Sequence, residues 1–211
     1  MNAEGPPNVV DTVVLLYFLL VEEMDLLLEL VGRPLRVPLS VYDPGERDLP
    51  GEALRRPELL SEIRQSMRHY EVAEKEQPDQ RQLAKRMSMA DQLHTVGLIQ
   101  VTDLTVEELL LAARLQSREG ARVHGVRAPL GPGEAACVAL AWSRGWTIVT
   151  DDDAALRVLT SLSKGVLRRY ERIRKLLIRA AESDMITKER ANDIHRQMRG
   201  FGFWDSVAPF P

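Results

Sequence analysis

Short apolar runs that end on acids alternate along this chain with longer stretches whose apolar residues recur at helical spacing. Val9-Val10-Asp11-Thr12 is a β-rich run ending in a carboxylate. The leucine-rich stretch from Val13 to Leu30 carries acids on one side and predicts one or two helices, stopped by Gly32 and Pro34. Arg36 to Tyr42 reads as a strand or extended segment, and Asp43-Pro44-Gly45 turns the chain after it. Residues 46–95 are polar and lack any strand signal. Leu59, Leu60, Ile63 and Met67, then Leu83, Met87 and Ala90, keep helical spacing, so two or three helices are expected there, broken near Gln77-Pro78.

Val96 to Val101 is the next predicted strand. Thr105 with Glu108 has capping-box form and opens a helix to about Gln116. Ser117 to Gly131 reads as a glycine-containing loop. Pro132 suits a first helical turn, Glu134 to Ser143 a helix closed by Gly145, and Trp146 to Thr150 a buried strand ending on Asp151-Asp152-Asp153. Ala154 to Leu162, Lys164 to Glu182, and Lys188 to Arg199 after a Thr187 cap are the closing helices. Strands alternating with helices predict an α/β domain with a parallel sheet and helices on both faces. Residues 46–95 form a helical insertion in it and 164–211 a helical C-terminal region.

At 211 residues the chain has the length of one domain with a substantial core, and the expectation is a single domain over 1–211. The apolar run Val13 to Val21 does not predict a membrane span, because a bilayer needs about 20 mostly apolar residues. It also lacks the basic flank of a signal peptide, so no membrane partner and a cytoplasmic location are expected. A net charge of −3 argues against a generally basic nucleic-acid coat. The one cysteine, Cys137, sits among small apolar neighbours and reads as a buried thiol. Four histidines without ligand spacing argue against zinc, and no phosphate-loop or dinucleotide glycine motif occurs.

In open parallel sheets the working crevice lies beyond the carboxyl ends of the strands. Asp11, Asp43 and Asp151-Asp152-Asp153 each follow a predicted strand there, and Glu134 sits in the first turn of the helix before the last strand. Carboxylates gathered so closely repel one another unless a cation lies among them, and hard divalent ions take oxygen ligands. Each acid also has a local explanation. Asp11 and one of the three aspartates suit N-caps, Glu134 suits the helix dipole, and Asp43 suits its turn.

Val9-Val10-Asp11-Thr12 with Leu15-Leu16, Val37-Pro38-Leu39-Ser40-Val41-Tyr42-Asp43, Leu130-Gly131-Pro132-Gly133-Glu134-Ala135-Ala136 and Ile148-Val149-Thr150-Asp151-Asp152 together resemble a PIN domain. The resemblance extends to Leu176–Ala180 and on to Phe203, covering about two thirds of the chain. It implies a metal-dependent endoribonuclease fold that cuts single-stranded RNA with Mg²⁺ or Mn²⁺. The metal ligands would be Asp11, Asp43, Glu134, Asp151 and Asp152, with Asp11, Glu134 and Asp152 foremost in catalysis. It further implies the toxin of a toxin–antitoxin pair, with a small antitoxin-like protein and a second copy of the chain as candidate partners. Two features depart from the family pattern. Val13 replaces a small polar residue, and Pro44 follows Asp43, which leaves Glu46 as a substitute second acid. The alternative reading is therefore a degenerate PIN-like binding or regulatory module. A phosphatase-like hydrolase is a weaker third option, since no second aspartate stands two residues after Asp11. The concentrated basic segment supplies Arg168, Arg172, Lys175 and Arg179, which would share one helical face and could follow an RNA backbone or remain a solvated face.

Overall fold

A computed structural model describes residues 7–43, 59, 63, 80–164 and 169–204. The strands are β1 (Asn8–Val10), β2 (Leu35–Pro38), β3 (Ile99–Thr102), β4 (Thr147–Val149) and β5 (Tyr170–Glu171). Around them run helices α1 (Thr12–Leu20), α2 (Met24–Val31), α3 (Gln80–Thr95), α4 (Val106–Leu115), α5 (Arg118–Val123), α6 (Pro132–Arg144), α7 (Asp153–Leu162), α8 (Ile173–Glu182) and α9 (Lys188–Gly200). All strand pairs are parallel: β1 with β4, β4 with β5, and β2 with β3. β2 also lies beside β1. The result is a mixed α/β fold with a small parallel-strand core flanked by helices.

The apolar run noticed in the sequence becomes α1, in which every residue except Val13 is buried. A helix apolar on all sides belongs in a core, and α1 packs against α2, α3 and α9. Truncating Leu15 or Leu19, both fully buried, costs about 2–5 kcal/mol on the usual cavity scale. Among the described residues no helix is long and apolar enough to cross a membrane. Cys137 is buried, its Sγ 3.7 Å from the Val10 carbonyl.

Two elements depart from the sequence expectation. The expected loop from Ser117 holds α5, capped by Ser117 Oγ accepting from Gly120 N at 2.9 Å. Gly120 is there for close packing: a Cβ would lie 2.2 Å from the Arg114 carbonyl oxygen. The expected helix from Lys164 to Glu182 is also broken. Tyr170 and Glu171 instead pair with Ile148 and Val149, and Thr150 N donates to the Glu171 carbonyl at 3.0 Å. A two-residue edge strand carries no period of its own, and pairing to a buried strand overrides helix propensity. Of the expected helical insertion, α3 and the helical positions Leu59 and Ile63 are described. Its other residues, including Glu46, lie outside the described residues.

A bidentate ion pair links α4 to α6. Arg144 Nε donates to Glu108 Oε1 and its Nη2 to Oε2, both at 2.7 Å, while Thr105 N donates to the same carboxylate at 2.8 Å. Glu108 is 2% exposed. The hydrogen bond from Arg144, with help from Thr105, holds its carboxyl below the ordinary 4.5 despite burial. A depressed folded pKa gives stability that is present above about pH 4.5 and lost as pH falls through the lower folded value. Glu108→Gln should therefore cost about 2 kcal/mol at neutral pH and flatten the acid limb of a urea-unfolding series measured across pH. An unchanged acid limb would contradict this assignment.

Candidate active site

Because β1 and β4 run in parallel with Val10 beside Val149, their next residues emerge together at one edge. Asp11 N donates to the Val149 carbonyl at 3.0 Å. Its carboxylate is buried and accepts from Thr12 N on Oδ1 at 2.7 Å and from Thr150 Oγ1 on Oδ2 at 2.6 Å. The Thr150 hydroxyl in turn accepts from Asp152 N at 3.1 Å. One fully buried threonine thus ties the end of β1 to the loop after β4.

The three aspartates after Thr150 take separate duties. Asp151 Oδ2 accepts from Ile173 N at 2.9 Å, which fixes the start of α8. Asp152 is the N-cap of α7, its Oδ1 accepting from Ala155 N at 2.5 Å. Asp153 turns away to pair with Arg172, whose hydrogen bond and charge lower its pKa. At the start of α6, Pro132 occupies the first turn and Glu134 Oε2 accepts from Gly131 N at 2.9 Å.

Asp11, Glu134, Asp151 and Asp152 all line one cavity of about 470 Å³, with Thr12, Val13, Tyr17 and Gly131. Phe203 and Trp204 also line it. Phe203 is packed edge-on against Tyr17 at 5.0 Å, while the Trp204 indole stays 84% exposed. A larger hollow of about 720 Å³ runs along α9, but it is lined by residues of that one helix, among them the Arg196–Asp193 pair. The cavity at the strand ends draws on α1, α6, the β4–α7 connection and the C-terminal segment, which makes it the stronger candidate.

Asp43 is not among the residues lining this cavity. The chain turns at Val41 and Tyr42, with Val41 N bonded to the Pro38 carbonyl, so β2 ends well before Asp43. Of the expected basic face, Arg168 lies outside the described residues, and Arg172 precedes α8 in extended conformation. Arg172 pairs with Asp153, whereas Lys175 and Arg179 both pair with Glu171, and those contacts hold β5 in place. Tyr17, Thr150 and Trp204 were not singled out as site residues from sequence. Thr150 could have been found as the hydroxyl immediately before the aspartate run. Tyr17, six residues after Asp11 and on a different side of the helix, carried no such signal.

Among the described residues no three His, Cys, Asp or Glu side chains are grouped closely enough to hold a metal ion directly. Mg²⁺ seldom asks for that, being held by one or two carboxylates, several waters and substrate phosphate. A carboxylate has about four acceptor sites, so one capping bond on Glu134, Asp151 or Asp152 is compatible with ion binding. The all-oxygen donor set therefore fits a hydrated hard cation. The chain matches no protein-family model, no curated protein and no solved structure.

Thr150→Val should cost about 1–3 kcal/mol, since it takes a donor from a buried carboxylate, and Thr150→Ser should recover most of that. Thermal unfolding of the two variants decides it; a Thr150→Val protein as stable as wild type, or more stable than Thr150→Ser, would show that the hydroxyl bond is not what holds the site.

Proposed function

We propose that this chain is a PIN-like, metal-dependent endoribonuclease that hydrolyses phosphodiester bonds of single-stranded RNA, with Mg²⁺ or Mn²⁺ as cofactor. One observation carries the reading: Asp11, Glu134, Asp151 and Asp152 line a single cavity at the carboxyl edge of parallel strands. In this reading one or two of Asp11, Glu134 and Asp152 hold the ion directly and the rest, with Asp151, hold its waters; the carboxylates act by binding and orientation, not as nucleophiles. When bound, the ion would polarise the scissile phosphate and make nearby water easier to deprotonate. The chain's own part is rigidity and placement. Thr12 and Thr150 fix the Asp11 carboxylate, the Gly131 amide fixes Glu134, and the α7 cap fixes Asp152.

Trp204 gives the cavity a nucleic-acid character. An exposed indole at the lip of an acidic pocket offers a face on which an unpaired base can stack, a contact available to single strands and denied to a duplex. A small antitoxin-like protein covering this cavity would complete the toxin–antitoxin arrangement.

A second reading has its own support. Asp43 is absent from the cavity lining, and each of the four acids already serves a backbone amide. A chain that kept these aspartates for capping alone would be a degenerate PIN-like binding module.

Asp11→Asn separates the two. An amide can accept from Thr12 N and donate to the Thr150 hydroxyl, so the fold should persist. A neutral amide is a poorer ligand for a hard cation, so the enzyme reading predicts loss of cleavage by at least about 100-fold in a Mn²⁺-supplemented single-stranded RNA assay. Wild-type protein that cuts no RNA in either metal would leave the binding-module reading in its place. Trp204→Ala should weaken binding of uncleaved single-stranded RNA about 10-fold and leave Mn²⁺ affinity unchanged. A shift in metal affinity, or none in RNA binding, would remove Trp204 from the site.

A further inference from the structure

At Asp153 the surface changes sign. A second hollow, of about 520 Å³, begins there and is lined from α7 by Asp153, Arg157 and Ser161. Their four-residue spacing puts all three on one side of that helix. His124, the C-cap of α5, also lines it, with its Nδ1 3.0 Å from Ser161 Oγ. Tyr170 and Arg172 line it from β5 and the start of α8. Among the described lining residues Asp153 is the one carboxylate, and Arg172 is paired with it. Arg157 acts on the same carboxylate through its charge, and the charge of Arg114 on α4 reaches His124. Two lining guanidiniums against one carboxylate leave a cationic hollow. The neighbouring cavity has four acids and, among its described lining residues, no basic side chain.

We infer that this second hollow is a phosphate-ester site, in which the guanidiniums of Arg157 and Arg172 hold the phosphate oxygens. A guanidinium has five N–H donors, so Arg172 keeps some after pairing with Asp153. The fork geometry of arginine suits phosphate in particular. The His124–Ser161 pair adds one more donor in either tautomer. If Nδ1 accepts from the hydroxyl, Nε2 carries a proton; if Nδ1 donates, the hydroxyl proton is left over. Leu156 and Tyr170, also in the lining, give an apolar wall for the organic group that the phosphate carries.

The ester has two sources. One is a backbone phosphate of the strand held in the acidic cavity, since Asp151 and Asp152 line that cavity and Asp153 this one. That source rests on the nuclease reading. The other is a free mononucleotide, which does not.

Imidazole NMR signals test the inference in EDTA at neutral pH and constant ionic strength, with His124→Gln identifying the signal. Inorganic phosphate, adenosine monophosphate and a single-stranded RNA hexanucleotide are titrated in turn. A saturable shift of the His124 signal is expected. Partial burial, with the Arg114 charge, holds this imidazole below its ordinary range, and a bound anion should move its pKa upward. Arg157→Gln, at an exposed position, should weaken binding about 10-fold with thermal unfolding unchanged, and Arg157→Lys should recover part of the loss. Asp11→Asn, which disables the proposed nuclease, should leave phosphate and mononucleotide binding as they are, so the two readings fail separately. Tighter binding of the hexanucleotide than of the mononucleotide assigns the site to the strand, and the reverse order assigns it to a free nucleotide. No saturable shift with any of the three, the same shift with chloride, or an affinity indifferent to Arg157→Gln would each overturn the site.

Discussion

Parallel pairing of β1 with β4 brings Asp11 beside Thr150, and most of what this molecule offers chemically follows from that juxtaposition. Two strands read in the same direction end at the same edge, so the carboxylate after one and the aspartates after the other meet without any long loop to carry them. The Thr150 hydroxyl secures the meeting by donating to Asp11 and accepting from the Asp152 amide. On either side the arrangement is held by apolar mass: α1 runs from Asp11 into the core with nearly every residue buried, and α6 packs against β1, β2 and β4.

The same geometry sets an electrostatic problem. Asp11 is 2% exposed, and three more acids line its cavity. Backbone amides and the Thr150 hydroxyl orient these carboxylates, and the Arg172 charge also acts on Asp151. In the proposed nuclease reading a hydrated divalent cation shared among the four offsets their mutual repulsion. Asp153 shows the alternative solution within the same run of residues. Turned outward, it takes Arg172 as its counter-charge and has no place in the cavity.

Much of the architecture was legible in the sequence because long, strongly periodic segments announce themselves. The Thr105–Glu108 capping box, the Pro132 helix start and the buried strand before the aspartates fall where the residue pattern puts them. What escaped was decided by tertiary contact. Residues 170 and 171 form a strand only because β4 offers an unpaired edge, and Gly120 marks a close helix approach, not a loop. For the site, the acids after β1 and β4 could be anticipated because strand ends in a parallel sheet share an edge. Asp43 was expected from the same rule, but β2 stops at Pro38 and the turn at 41–42 intervenes. The aromatic side of the cavity was out of reach, since nothing local in Phe203-Trp204 says that the chain end returns to α1.

The central claim is that these acids share an ion, and the most direct measurement is anomalous diffraction from a crystal of the protein grown with Mn²⁺. The account predicts a single strong anomalous peak, or a close pair, inside the cavity bounded by Asp11, Glu134 and Asp152, with at least one of those carboxylates in its coordination shell. A map in which that cavity holds only water, with Mn²⁺ bound elsewhere or not at all, would contradict it.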